Sequence, residues 1–235
     1  MHLTFIRFTV KKIRTITLET GAQKGSTKSL RFPPATRYIL PMRIIGGKAA
    51  GLVLRAPKGY DVRPTPDLVK QAVFNSLGAR VIEARVLDLF AGTGALSLEC
   101  LSRGAALVVC VERNPRHAEF VRRNLELAGL DARQFELRIQ DAFAALGQLV
   151  VAARQFDLIF ADPPYGEKNL HQRSNSCAQQ LLDAPALPQL LALDGRFVLG
   201  HTKRDTLSVP DAWQEIKILK HGDSWMCFLR KSCAV

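Results

Sequence analysis

The tetrapeptide Asp162-Pro163-Pro164-Tyr165 sets a carboxylate, a stiff backbone and an aromatic ring within four residues. It follows the apolar run Phe156-Asp157-Leu158-Ile159-Phe160-Ala161, which predicts a buried strand. Two consecutive prolines cannot continue a sheet, because neither donates a ladder hydrogen bond. The chain therefore leaves the sheet at Asp162. There the Asp162 carboxylate and the Pro163 carbonyl can both accept hydrogen bonds from a planar NH2 group, while the Tyr165 ring stacks on the base that carries it. The plain alternative is a Pro-Pro turn after a strand, and the tetrapeptide alone does not decide between them.

A second constellation favours the chemical reading. Val86-Leu87-Asp88-Leu89-Phe90 is another apolar strand, followed by Ala91-Gly92-Thr93-Gly94-Ala95 and a helical pattern over 95–103. Glycines at such a turn let the backbone approach a ligand, and the helix start offers free N–H groups. A third run, Leu107-Val108-Val109-Cys110-Val111-Glu112, ends in an acid eighteen residues after Gly94, where a carboxylate can bind both hydroxyls of a ribose. Leu96-Ser97 stands where a dinucleotide fingerprint would carry its third glycine region, and the loop has no Walker lysine. A nucleoside without a pyrophosphate fits better, with S-adenosylmethionine as the candidate.

These residues need a scaffold that brings strand ends together. Strands are predicted at 86–90, 107–112, 135–139, 156–161 and 196–200, and helices at 66–77, 95–103 and from Asn114-Pro115 to Gly129. A helical region broken by Pro185 and Pro188 follows, after a polar loop at 166–176. Two last strands, about 214–220 and 225–230, form a hairpin around His221-Gly222-Asp223-Ser224. Alternating strands and helices imply an α/β fold with a mainly parallel sheet covered on both faces. Ligands then bind at the carboxyl ends of the strands, where Gly92, Glu112, Asp141 and Asp162 all fall. Residues 42–65 read as a small β-rich segment made basic by Lys48, Arg55, Lys58 and Arg63. Thr65 is predicted to cap the next helix, with Pro66 at its first position.

The chain has 235 residues, a hydrophobic content of 47% and a formal charge of +12. Such a charge suggests a polyanionic partner. Residues 1–41 hold eight Lys or Arg against the single acid Glu19. They are read as a basic, disordered extension or as a start assigned too early, with the ordered domain beginning at Met42. No apolar stretch is long enough to cross a membrane, and the short run Leu3–Val10 is interrupted by Arg7. The five cysteines form no zinc-type spacing. Cys100 and Cys110 read as reduced core residues, which favours the cytoplasm.

From Met42 to about Arg230 the chain resembles the RsmD family of bacterial 16S ribosomal RNA guanine-N2 methyltransferases, whose name carries guanine 966 as target. The resemblance lies in Arg43-Ile44-Ile45-Gly46-Gly47, in Arg63-Pro64-Thr65-x-Asp67-x-Val69-Lys70 continuing into Phe74-Asn75-x-Leu77, in Asp88 to Gly94, in Asp162 to Tyr165, and in Gly222-Asp223-Ser224. It implies a class I, Rossmann-like methyltransferase fold with a seven-stranded sheet. It also implies S-adenosylmethionine as donor, no metal, and a monomer acting on 16S rRNA within a small-subunit particle. In these terms Asp162, Pro163 and Tyr165 are the catalytic set. Asp88, Ala91, Gly92, Thr93, Gly94, Glu112 and Asp141 are the cofactor set, Asp141 reading equally as a helix cap. Arg43, Lys48, Arg55, Arg63 and Thr65 are placed toward RNA, a solvated basic face being the alternative. The sequence departs from the family in Gly200-His201, where members often carry an acid, and in residues 1–41.

Two rivals remain open on sequence grounds. A DNA adenine-N6 methyltransferase uses a similar turn, although no sizeable DNA-recognition domain is present. A non-catalytic RNA-binding assembly factor could keep the fold, but the retained Gly92, Gly94, Glu112 and Asp162 argue against decay. A protein glutamine-N5 methyltransferase fits less well, since Asn-Pro-Pro-Tyr is usual there.

Overall fold

The computed structural model describes residues 42–57, 65–164 and 173–232, and the backbone of two short strands, Thr15–Leu18 and Lys28–Arg31. The chain divides into two units, Met1–Leu40 and Pro41–Val235. In the first unit the two strands pair antiparallel, Thr15 opposite Arg31. The sequence reading placed no element there; the rest of residues 1–41 lies outside the described residues.

The second unit is built on a seven-stranded sheet. Its strands are β1 (Arg85–Asp88), β2 (Leu107–Val111), β3 (Phe135–Arg138), β4 (Phe156–Ala161), β5 (Leu191–Thr202), β6 (Trp213–His221) and β7 (Ser224–Lys231). The spatial order is β3-β2-β1-β4-β5-β7-β6, and β7 alone runs antiparallel to its neighbours. The helices are α1 (Asp67–Leu77), α2 (Ala95–Ser102), α3 (Pro115–Leu127), α4 (Ala142–Val151), α5 (Cys177–Asp183) and α6 (Ala186–Leu190).

The central strands are mainly apolar and buried because both sheet faces are covered. Alternate residues serve opposite faces. Val86, Val108, Leu158, Phe160 and Val198 pack with Val73, Phe74, Leu98 and Leu101 of α1 and α2. Leu87, Val109, Ile159, Phe197 and Leu199 pack with Leu146, Leu149, Leu181 and Leu187 of α4, α5 and α6. All eight residues of α2 are buried, so its serines and its glutamate must find partners inside the protein. The strand order reverses on the two sides of β1: the chain runs outward to β3, then returns to β4. The crevice beyond the carboxyl ends of β1 and β4 is therefore the expected ligand site. Among the described residues, no helix is long and apolar enough to cross a membrane.

Three local expectations are corrected. The segment 42–57 holds a single β-bridge, Arg43 to Val53, rather than strands. It is fastened to α2 instead. The Ile45 N–H donates to Glu99 Oε2 at 2.7 Å, the Ala49 N–H donates to Ser102 Oγ at 2.9 Å, and Ser102 Oγ donates to the Gly46 carbonyl at 2.6 Å. Gly47 has φ 75°, and a Cβ there would collide with the Ser102 carbonyl, which accounts for glycine at that position. Second, Thr65 does not cap α1. The helix begins at Asp67, Pro66 takes the cap position without a side-chain bond, and Thr65 points elsewhere. Third, the strand expected at 196–200 runs from Leu191 to Thr202 as β5. Pro188 falls in the first turn of α6, where no intrahelical N–H bond is lost.

Candidate active site

Asp88 is the last residue of β1 and is 1% exposed. Ser97 Oγ, from the first turn of α2, donates to Asp88 Oδ2 at 2.7 Å. Asp88 Oδ1 is buried and accepts no hydrogen bond among the described residues. Burial pushes the carboxyl up to about 7, and the charges of Asp162 and Glu112 push in the same direction, against the Ser97 bond. A buried acid with one unpartnered oxygen is suited to a cationic ligand group, which would restore the lost hydration.

The loop after β1 is shaped by Gly92 (φ 57°) and Gly94 (φ 84°), left-handed positions that favour glycine. The Gly94 N–H donates to the Ala91 carbonyl at 2.8 Å, and the Ala91 N–H donates to the Val111 carbonyl of β2 at 3.1 Å. Glu112, 8% exposed, holds this loop with both oxygens. Its Oε2 accepts the Gly92 N–H at 2.8 Å and its Oε1 the Asn114 N–H at 2.8 Å, with His117 Nδ1 3.5 Å from Oε1. Each oxygen keeps acceptor capacity for a further donor. Asn124 of α3 is fully buried and ties the loop to the leading segment. Its amide donates to the Thr93 and Arg55 carbonyls and accepts the Arg55 N–H at 2.8 Å.

Asp162 follows β4 directly and is half-buried, with Pro163 buried and Pro164 exposed. Its Oδ2 accepts a 2.8 Å hydrogen bond from Thr65 Oγ1. The structure thus gathers Asp88, the Gly92–Gly94 loop, Glu112, Asp162 and Thr65 around one end of the sheet. Tyr165 and Arg63 lie outside the described residues. Asp141 is exposed and caps α4, accepting from the Phe143 and Ala144 N–H groups, so the cap alternative describes its contacts. Arg43 pairs with Asp67 at 2.7 Å, and the fully buried Lys70 donates to the Arg43 carbonyl and lies 3.3 Å from Asp67. Lys48 and Arg55 are exposed.

Sequence reasoning missed Ser97, His117 and Asn124; it noted Gly200 as a departure from the family but not its contact with Asp162. Ser97 and His117 carried a signal, since each sits in the first turn of a helix that follows a site-bearing strand. Asn124 carried none, because its partners lie far away in the chain.

The Asp88 titration has a measurable consequence. Its folded value, about 7, lies above the ordinary 3.8, so its contribution favours the folded state below about pH 4 and is lost as pH rises toward 7. Asp88→Asn is expected to match the ligand-free wild type in stability near pH 4 and to exceed it near pH 8, by at most about 4 kcal/mol. Chemical unfolding across that pH range checks this. A parallel pH dependence in both proteins would contradict the buried-acid assignment.

The donor set fits a ligand combining a cation, placed near Asp88, with hydroxyl groups near Glu112, as S-adenosylmethionine does. Comparison with known proteins bears on the same point. The profile of a family described as conserved hypothetical protein 95 matches residues 42–230. YlbH of Bacillus subtilis, named as a candidate rRNA methyltransferase, is 36% identical over 69% of this chain and 83% of its own. Ribosomal RNA small subunit methyltransferase D of Haemophilus influenzae is 31% identical over 81% of this chain and 92% of its own. The Thermus thermophilus 16S rRNA N2 G1207 methyltransferase RsmC, solved with AdoMet and guanosine, superposes with a TM-score of 0.58 at 25% identity, covering 74% of this chain and 45% of that one.

Proposed function

The chain belongs to the family described as conserved hypothetical protein 95, the RsmD family, and we propose that Asp162 and the Pro163 carbonyl hold the exocyclic N2 of one guanine of 16S rRNA for methylation. The protein is an S-adenosylmethionine-dependent rRNA methyltransferase of class I fold. The observation that carries the assignment of roles is the position of Asp162-Pro163 at the strand-order switch point, across from Asp88 and Glu112 at the neighbouring strand ends.

When bound, S-adenosylmethionine supplies a methyl group made electrophilic by its sulfonium. Asp88 is assigned to its ammonium group, Glu112 to its ribose, and the Gly92–Gly94 backbone to close contact with it. The protein's task at the other substrate is to aim a weak nucleophile. The N2 lone pair of guanine is delocalised into the ring. Asp162 and the Pro163 carbonyl, accepting the two N2 hydrogens, favour a more tetrahedral nitrogen whose lone pair points at the methyl. This is catalysis by positioning and electrostatics. The proton released from nitrogen passes to Asp162 or to water. Tyr165 is assigned to stacking on the base once it leaves its own stack. The transfer needs no covalent enzyme intermediate, and burial pushes the Cys100 and Cys110 thiols well above their ordinary range in the core.

Exposed Lys48 and Arg55 on the leading segment are assigned to RNA phosphates, and Arg43 and Arg63 are assigned to the same role. The substrate is taken to be a small-subunit particle in the cytoplasm, engaged by a monomer. Tritiated methyl transfer to small-subunit particles lacking the modification, followed by nucleoside analysis, tests the whole reading. N2-methylguanosine at a single site is expected. No label in the particles, or label in a parallel reaction with DNA at adenine instead, would overturn it.

A further inference from the structure

We propose that Thr65 is a positioning residue for the Asp162 carboxylate, working with the bare backbone of Gly200. The inference rests on the assignment of Asp162 to the target amine and goes beyond it by naming what orients that acid.

Thr65 and Asp162 are 97 residues apart in the chain, yet Thr65 Oγ1 donates to Asp162 Oδ2 at 2.8 Å. Thr65 stands immediately before Pro66, where a helix-capping role was the local expectation. The cap bond is not made, and the hydroxyl is committed to the acid instead. On the other side of the carboxylate lies β5. The parallel register pairs Ala161 with Leu199, which brings the next residue of each strand, Asp162 and Gly200, side by side. A Cβ on Gly200 would collide with Asp162 Oδ1 and lie 3.0 Å from its Cγ and 3.2 Å from its Cα. Gly200 is in extended strand pairing with Met226 and has no left-handed backbone to explain it. Space for the Asp162 side chain is the remaining physical reason for glycine there.

The two contacts act on different oxygens. The Thr65 bond fixes Oδ2, and the absence of a side chain at Gly200 lets Oδ1 sit close to the strand. Together they select one orientation of the carboxylate plane, and a donated hydrogen bond favours the ionised form that accepts N–H bonds. Pre-setting that plane is what a positioning mechanism requires, since a misdirected acceptor leaves the N2 lone pair unaimed.

The test uses the full-length protein with small-subunit particles and tritiated cofactor. Thr65→Val keeps the shape and removes the hydroxyl; Thr65→Ser restores it. Thr65→Val is expected to lower kcat about 10–100-fold, the worth of one charge-assisted hydrogen bond, with cofactor affinity by calorimetry unchanged. The acid limb of its pH–kcat profile should move to higher pH, a shift that a merely structural stitch would not produce. Thr65→Ser should recover most of the rate. Gly200→Ala, an independent perturbation from the opposite side, should also lower kcat while leaving cofactor affinity intact. Wild-type kcat in Thr65→Val would overturn the inference. So would equal impairment of the valine and serine variants, or a rise in KM for the particle with kcat unchanged, which would make Thr65 an RNA contact. Asp162→Ala run alongside separates the two levels. An inactive Asp162→Ala with a normal Thr65→Val removes this inference alone, whereas an active Asp162→Ala removes the reading on which it stands.

Discussion

Asp162→Ala is expected to lower methyl transfer by about 10³-fold or more while cofactor affinity stays within a few-fold of wild type. The loss follows from the chemistry assigned to the site. An amine whose lone pair is delocalised reacts only when its hydrogens are held by acceptors, and preorganised acceptors in a partly buried site are the costliest to remove. Cofactor binding should survive, because the contacts assigned to it run through Asp88, Glu112 and the glycine loop. The electrostatics sharpen this expectation. After burial, the Asp162 charge is one of the groups that raise the Asp88 carboxyl to about 7. Removing it eases ionisation of Asp88, so affinity for a cationic ligand should be unchanged or slightly stronger at pH 7. The variant also strips Thr65 of its acceptor, so thermal unfolding should accompany the kinetics to show that the protein remains folded. Near-normal turnover in a folded Asp162→Ala protein would sink the mechanism.

Glu112→Ala is expected to weaken cofactor binding by about 10²–10⁴-fold. A carboxylate that holds two ribose hydroxyls loses two charge-assisted bonds, each worth about 1.5–3 kcal/mol, and their effects do not simply add. The structure adds a second route to the same loss. Both Glu112 oxygens already accept backbone N–H bonds, from Gly92 and Asn114, so alanine also unfastens the glycine loop from the end of β2. Glu112→Gln separates the two contributions. Its amide oxygen can still accept one N–H, keeping part of the loop in place, but it lacks the charge and one acceptor. Calorimetry should therefore place glutamine between wild type and alanine. Wild-type affinity in the alanine variant would refute the ribose assignment, and equal losses in both variants would assign the effect to charge rather than to loop geometry.

The elements that position these residues were legible in the chain because their signals are short-range. Strand β4 was read at its full extent, Phe156–Ala161, since an apolar run closed by two prolines has one sensible end. Helix α3 was read from Asn114, whose side chain does accept the Arg116 N–H, to the left-handed Gly129. Capping and positive φ are properties of a few neighbouring residues, so a linear reading captures them. The same locality explains the misreading of Thr65. A threonine before a proline at a helix start is a sound cap by every local rule, and only a competing acceptor from elsewhere in the fold draws its hydroxyl away.

By itself the sequence determined the fold class, the order of the seven sheet strands, and the placement of Glu112 and Asp162 at strand ends, because hydrophobic period and Gly/Pro punctuation act within a turn or a strand; helix α4 and the end of β1 at Asp88 were not read from it. Only the tertiary structure decided which of those ends meet and how each acid is held. Strand order β3-β2-β1-β4-β5 puts Asp88 and Asp162 on adjacent strands, and burial between the helical layers raises the first of them. The β4–β5 register sets Gly200 against Asp162, and α3 carries Asn124 to both the Arg55 backbone and the Thr93 carbonyl. These contacts join residues tens of positions apart. Their energy comes from desolvation and close approach, quantities that no stretch of chain possesses until the layers have packed.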